Sequence, residues 1–328
     1  MRTARGRREK ERMARTKIAV IGGGQIGGNL ALYAAQRELG DVVIYDVPAK
    51  EATGAGKALD IAEQLPVDGR DAGLRGTSRI EDIAGAAVVI VTAGVARTPG
   101  MTREDLLTVN LKIIASVAEG VTTHAPGAFC IIVTNPLDSM VYAFRKLTGF
   151  PHAKVCGMAG VLDTARFRAF IAMELGVSVR DVSALVLGGH GPTMVPLSRL
   201  ASVGGVPVAE LIAPDRLRAI EERTREAGTE IVKLYGSGSA YYSPAMSAIA
   251  MAESCIRDQK RVLPVAAYCR GEYGIDGLYA GVPAVIGAGG VERILEVALT
   301  AEEEAALAAT VRAVRQSVHE VEQRGPGA

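Results

Sequence analysis

Three groups of residues in this sequence have the types and spacing for chemistry. The first is His190, held in Gly188-Gly189-His190-Gly191-Pro192. Glycines on both sides make it a poor core residue, so the imidazole reads as a proton-transfer group set in a cleft, with an ordinary surface histidine as the alternative. The second is Asp163 and Arg166, three residues apart in a segment of helical spacing over 160–173 and therefore on one helix face. They read equally well as a functional pair or as a solvated ion pair. The third is a loop over 93–101 that carries Arg97, Thr98, Pro99 and Gly100 and leads to Arg103 at the start of the next helix.

A fourth signature concerns a cofactor. KIAVIGGGQIGG, residues 17–28, contains G-x-G-x-x-G as Gly22, Gly24 and Gly27. Such a turn lets a backbone approach a pyrophosphate at a helix N-terminus. Alone it reads equally as a plain strand-to-helix turn, and its surroundings decide. Residues 18–21 form an apolar strand, 25–37 have helical spacing, and a second apolar run over 42–45 ends in Asp46. A carboxylate there, about 20 residues past the glycines, suits the ribose hydroxyls of NAD and repels the 2′-phosphate of NADP.

The elements that must position these groups alternate. Helical character over 49–65 is followed by a buried strand over 87–92, a helix over 102–123 that carries Asn110, and a strand over 129–134 that ends in Asn135-Pro136. Strands alternating with helices specify an α/β fold, a Rossmann-type doubly wound parallel sheet. Ligands on such sheets bind at the carboxyl ends of the strands, where Gly22, Asp46, Arg97 and Asn135 fall. The pattern changes near Pro151. Residues 1–15 are a basic extension, 16–150 the dinucleotide-binding domain, and 151–328 a mixed α+β catalytic and substrate-binding domain. In the last, a strand over 184–187, helices over 214–235 and 241–256, β-rich runs over 262–269 and 278–286, and a C-terminal helix over 301–321 are expected.

Composition narrows the classes. In 328 residues, 48% hydrophobic and 22% charged, the chain has the make-up of an ordinary globular protein. The four cysteines show neither C-x-x-C nor zinc spacing, which predicts reduced thiols in a cytoplasmic protein and no metal site. No apolar run reaches the roughly 18 residues that span a bilayer. Seven basic and two acidic residues crowd the first 15. A nucleic-acid role for that arm is the weaker reading, and a natural start at Met13 the stronger. Gly54-Ala55-Gly56-Lys57 imitates a phosphate loop, but Glu51 and Ala58 stand where that motif needs glycine and Ser or Thr. Gly236-Ser237-Gly238-Ser239-Ala240 does not make the G-x-S-x-G of hydrolases.

KIAVIGGGQIGG, Tyr45-Asp46, ARTPGMTREDLL from 96, VTNPLD from 133, GVLDTARFR from 160, GGHGPTMVP from 188 and EYGIDGLYAGVPAVIG from 272 together resemble the malate dehydrogenases of the branch related to lactate dehydrogenases. The resemblance covers about residues 16 to 322, and LDTAR with GGHG is its most specific part. It implies His190 as the proton acceptor, with Asp163 fixing its tautomer. It implies Arg166 on the C1 carboxylate, Arg103 on the reacting oxygen and Arg97 on the second carboxylate of malate or oxaloacetate. Lactate-specific relatives carry glutamine at the Arg97 position. NAD contacts are implied at Gly22, Gly24, Gln25, Ile26, Gly27, Asp46, Asn110, Val133 and Asn135, the last also near substrate, and Ala245 in the substrate pocket. A homodimer or homotetramer acting on a small dicarboxylate, without nucleic-acid or membrane partners, follows. Lactate dehydrogenase and a non-catalytic NAD-binding protein are the rival readings. One departure is Pro192, where the family usually has aspartate, which bears on the stiffness of the histidine loop.

Overall fold

A computed structural model describes residues 15–95 and 102–325. The strands are β1 (Lys17–Ile21), β2 (Asp41–Tyr45), β3 (Leu74–Thr77), β4 (Val88–Val91), β5 (Phe129–Ile132) and β6 (Val155–Gly157), then β7 (Val182–Ser183), β8 (Val186–Leu187), β9 (Val195–Pro196), β10 (Ser202–Val203), β11 (Val206–Pro207), β12 (Arg261–Arg270), β13 (Asp276–Gly287) and β14 (Gly290–Ile294). The helices are α1 (Gln25–Gln36), α2 (Glu51–Gln64), α3 (Arg103–His124), α4 (Leu137–Thr148), α5 (Gly160–Leu175), α6 (Val208–Leu211), α7 (Pro214–Tyr235), α8 (Tyr242–Ile256) and α9 (Ala301–Arg324).

The central sheet is continuous, in the order β14-β13-β12-β6-β5-β4-β1-β2-β3. Its parallel part, 3-2-1-4-5-6, has its switch point between β1 and β4. Every residue of β4 and β5 is buried, because helices cover both faces. Alternate residues of β1 divide between two cores: Ile18 and Val20 meet Leu30, Ala31 and Ala34 of α1, whereas Ala19 and Ile21 join Leu107, Ile114 and Val121 of α3. Segment 104–124 of α3 is long and apolar enough to cross a membrane by composition. Its apolar stripe is instead committed to the sheet, since Leu107, Ile114 and Val121 are at most 1% exposed.

The structure departs from the expected elements where strands are short. The sixth parallel strand lies at Val155–Gly157, past the expected boundary near Pro151. Residues 184–187 are not one strand: Val182–Ser183 pair with β10, and Val186–Leu187 with β9. One apolar run therefore serves two small sheets. β12 and β13 form the long antiparallel pair that continues the central sheet across β6, where Ala266 registers with Gly157.

Candidate active site

The glycine turn joins β1 to α1 at the carboxyl edge of the sheet. A Cβ on Gly27 would lie 1.9 Å from the Gly22 carbonyl oxygen, so only glycine lets the helix start this close to the strand. Gly24 differs, for a Cβ there would meet nothing within 4 Å. No packing among the described residues demands glycine at 24; the open approach fits a ligand that comes up to the backbone. Gly24 is the N-cap of α1, without a side-chain cap and without an acid in the first turn. The N–H groups of Gln25, Ile26 and Gly27 thus begin a helix whose positive end no side chain neutralises, a setting that fits a dinucleotide pyrophosphate. Asp46 sits beside it, Oδ2 accepting from the Gly23 N–H at 2.8 Å and Oδ1 from Val47 N–H at 2.9 Å.

Across the crevice, α5 and the 188–192 loop bring the predicted proton-transfer residues together. His190 Nδ1 is 2.9 Å from Asp163 Oδ2, and Arg166 Nη1 donates to Asp163 Oδ1 at 3.3 Å. The Asp163 side chain is 2% exposed, which removes the solvated-pair alternative. Burial is the largest influence on the His190 imidazole and pushes its pKa down. The charge and hydrogen bond of Asp163, helped by Asp138 and opposed by Arg166, outweigh it and hold the pKa above the ordinary value. Burial lowers the Arg166 pKa against the pull of Asp163, and its buried Nε has no partner among the described residues. An orphaned guanidinium N–H beside a cavity suits a carboxylate ligand.

That cavity is about 430 Å³ and is lined by Ile26, Val133 and Asn135 from the cofactor side and by Leu162, Arg166 and His190 from the other. Ala240 and Pro244 contribute to its wall, whereas Ala245 is fully buried. Asn110 is 1% exposed and its amide is taken up by the backbone: Oδ1 accepts from Val95 N–H, and Nδ2 donates to the carbonyls of Val95 and Asn135. It thereby braces the two loops. Arg103 opens α3 behind a Thr102–Asp105 capping box. Arg97 lies outside the described residues.

Pro192 has a structural fit. Met194 N–H donates to Gly191 O at 3.0 Å, so residues 191–194 close a turn in which Pro192 holds the second position, one that its fixed φ favours. The loop is further tied by Thr193 Oγ1 to Thr310 Oγ1 at 2.7 Å and by Gly189 N–H to the same hydroxyl at 3.1 Å. Gly188 and Gly281 exchange backbone hydrogen bonds of 2.8 and 2.9 Å, and a Cβ on Gly281 would lie 2.1 Å from Gly188 O. Gly281 and Thr310 therefore aim His190. Sequence reading did not assign them; the signal was present only as the glycine in the quoted 272–287 motif.

A glycine turn on the first strand of a 3-2-1-4-5-6 sheet, facing a buried His–Asp pair across one crevice, defines a nicotinamide-dependent oxidoreductase. Family profiles agree: residues 16–157 match the lactate/malate dehydrogenase NAD binding domain, and 160–324 the lactate/malate dehydrogenase alpha/beta C-terminal domain. The chain belongs to the lactate/malate dehydrogenase family. It is 60% identical over 314 residues to malate dehydrogenase 2 of Anaeromyxobacter dehalogenans, covering 93% of this chain and 99% of that one. Among solved structures it is similar to Cryptosporidium parvum malate dehydrogenase, at 44% identity and a TM-score of 0.91, covering 94% of this chain and 99% of that one. It is equally close to the lactate dehydrogenase of the same organism complexed with lactic acid and cofactor, at 46% identity and a TM-score of 0.90, covering 94% and 98%. Backbone shape does not separate the two activities.

Proposed function

We propose that the chain is an NAD-dependent malate dehydrogenase that interconverts (S)-malate and oxaloacetate. The observation that carries the reading is the buried His190–Asp163–Arg166 array at a cavity whose far wall begins at the glycine turn. When bound, NAD supplies the hydride acceptor at the substrate carbon. Removing hydride from a carbinol requires loss of the hydroxyl proton, and His190 Nε2 takes it, since Nδ1 is committed to Asp163. Asp163 holds the tautomer and stabilises the imidazolium. Arg166 holds the C1 carboxylate, and Arg97 with Arg103 completes the site over the second carboxylate and the reacting oxygen. Asn135 lies between cofactor and substrate, and Gly22, Gly24, Gln25, Ile26, Gly27, Asp46 and Val133 line the NAD path.

NADH oxidation measured side by side with oxaloacetate and pyruvate tests this reading. Oxaloacetate should be preferred by at least about a hundredfold in kcat/KM, from the cost of leaving Arg97 unpaired. Equal use of pyruvate would make it a lactate dehydrogenase, and no turnover of either would make it a binding protein.

The His190 shift predicts opposite pH limbs for the two directions. Malate oxidation needs the neutral imidazole, so its kcat/KM rises with pH through a pKa above 6.5; oxaloacetate reduction needs the imidazolium and falls through the same window. Asp163→Asn removes the carboxylate charge and should move both limbs to lower pH. Limbs that stay fixed in pH-rate profiles of that variant would separate Asp163 from the His190 titration.

A half-exposed Val262 borders, with Met246, Ala250, Arg168 and Arg261, a groove of mixed apolar and basic lining that a second copy could cover, which supports a homodimer or homotetramer, readable by light scattering. Four buried, unpaired cysteines support a cytoplasmic enzyme.

A further inference from the structure

Gly54-Ala55-Gly56-Lys57, which fails as a phosphate loop, lies in the first half of α2 and reaches the real glycine turn. Its small residues let the helix seat closely. A Cβ on Gly23 would come 3.5 Å from Gly54 Cα, and one on Gly76 of β3 would lie 2.3 Å from Ala55 N. With α2 held between β3 and the turn, Lys57 stands three residues after Gly54 on the same face. Its Nζ donates to Gly23 O at 2.8 Å and to Gly24 O at 2.7 Å. The N–H of Gly23 is taken from the other side by Asp46 Oδ2 at 2.8 Å. The turn is therefore clamped through both its carbonyls and its amide.

We propose that Lys57 is a positioning residue for the dinucleotide: it holds the Gly23 and Gly24 carbonyls and offsets their negative ends where the pyrophosphate approaches. This rests on the NAD reading of the turn. Unclamped carbonyls would present partial negative charge to an anion, whereas carbonyls engaged by an ammonium leave the free N–H groups at the start of α1 as the dominant field. Lys57 is not among the described residues that line the cavity, so its loss should weaken cofactor binding without altering the chemical step.

The test uses the full chain and NADH as the probe. Lys57→Met keeps the length and removes the donors; Lys57→Arg keeps charge and donors. Calorimetric Kd for NADH should rise about 10- to 100-fold in Lys57→Met, the range for charge-assisted hydrogen bonds. Its kcat at saturating NADH should stay within about twofold of the wild type. Lys57→Arg should recover most of the affinity. In the cofactor-free protein, amide exchange over 22–28 should speed up in Lys57→Met, a readout independent of turnover. NADH affinity and exchange both unchanged in Lys57→Met would overturn the proposal. So would a fall of Tm and kcat together that Lys57→Arg does not relieve, because that is a general structural role. Wild-type protein that does not bind NADH would instead sink the cofactor reading itself, and the Lys57 proposal with it.

Discussion

The His190→Asn enzyme is expected to bind NADH as the wild type does and to turn over malate about 10²- to 10⁴-fold more slowly, the usual contribution of a positioned general base. Asparagine keeps a polar side chain in the loop, and the anchors at Gly281 and Thr310 act through the backbone of 188 and 189, so the fold of the loop survives. Asp163→Asn should lower kcat by a comparable factor for a different reason. The amide can present its N–H to Nδ1, which reverses the tautomer and turns Nε2 from acceptor to donor. It also leaves the Arg166 guanidinium without its buried counter-charge, so Tm should fall in Asp163→Asn and hold in His190→Asn. Residues that act as one unit do not add. The double variant should be scarcely slower than either single one in steady-state and single-turnover kinetics. Multiplicative losses would mean that the two groups act separately, despite their 2.9 Å contact.

The parts of this design that were legible in the sequence are those encoded locally. Residues 18–21 are apolar throughout, and 87–92 and 129–134 are apolar up to a closing threonine, because both faces of β1, β4 and β5 are covered, and that pattern survives any reading frame of strand orientation. The glycine turn was legible because glycine at 27 answers a contact only five residues away in its own turn from strand to helix. Features that depend on distant partners were not. Asp163 and His190 are 27 residues apart, and nothing in their spacing distinguishes a buried 2.9 Å pair from two solvated groups; only the family resemblance joined them. Five two-residue strands, β7 to β11, exist by virtue of pairing with one another and carry no periodicity of their own. Asn110 shows the same limit from the other side: the resemblance implies a cofactor contact there, and its three bonds to the backbone of Val95 and Asn135, which tie two loops together, could not be read from the sequence. Lys57 lay inside a motif that matched the wrong template, and its use became visible only when α2 was seen against the glycine turn.

Arg97→Gln should swing the preference between oxaloacetate and pyruvate by about a hundredfold to several thousandfold in kcat/KM, the equivalent of about 3 to 5 kcal/mol for a buried charge left unpaired. Two effects combine. Oxaloacetate loses the partner of its second carboxylate, and pyruvate no longer buries its methyl group against an unsatisfied guanidinium. The cavity makes the size of the swing plausible in physical terms, because Ile26, Met158, Leu162, Met194 and Val232 give it a largely apolar wall in which an isolated charge is costly. A rival cation for that carboxylate, Arg225, lines this cavity. Arg225, however, is already engaged: its guanidinium lies 3.3 Å from Glu222 and 3.9 Å from Glu221, and Nε donates to the Met194 carbonyl at 3.3 Å. Using it for a substrate carboxylate would break those contacts, so Arg225→Gln should change the oxaloacetate-to-pyruvate ratio little. Initial-rate kinetics on both variants with both keto acids decide between the two arginines. If Arg97→Gln keeps the oxaloacetate preference and Arg225→Gln loses it, the second carboxylate sits on α7, and the dicarboxylate specificity resides in a helix of the fixed scaffold instead of in the loop before α3.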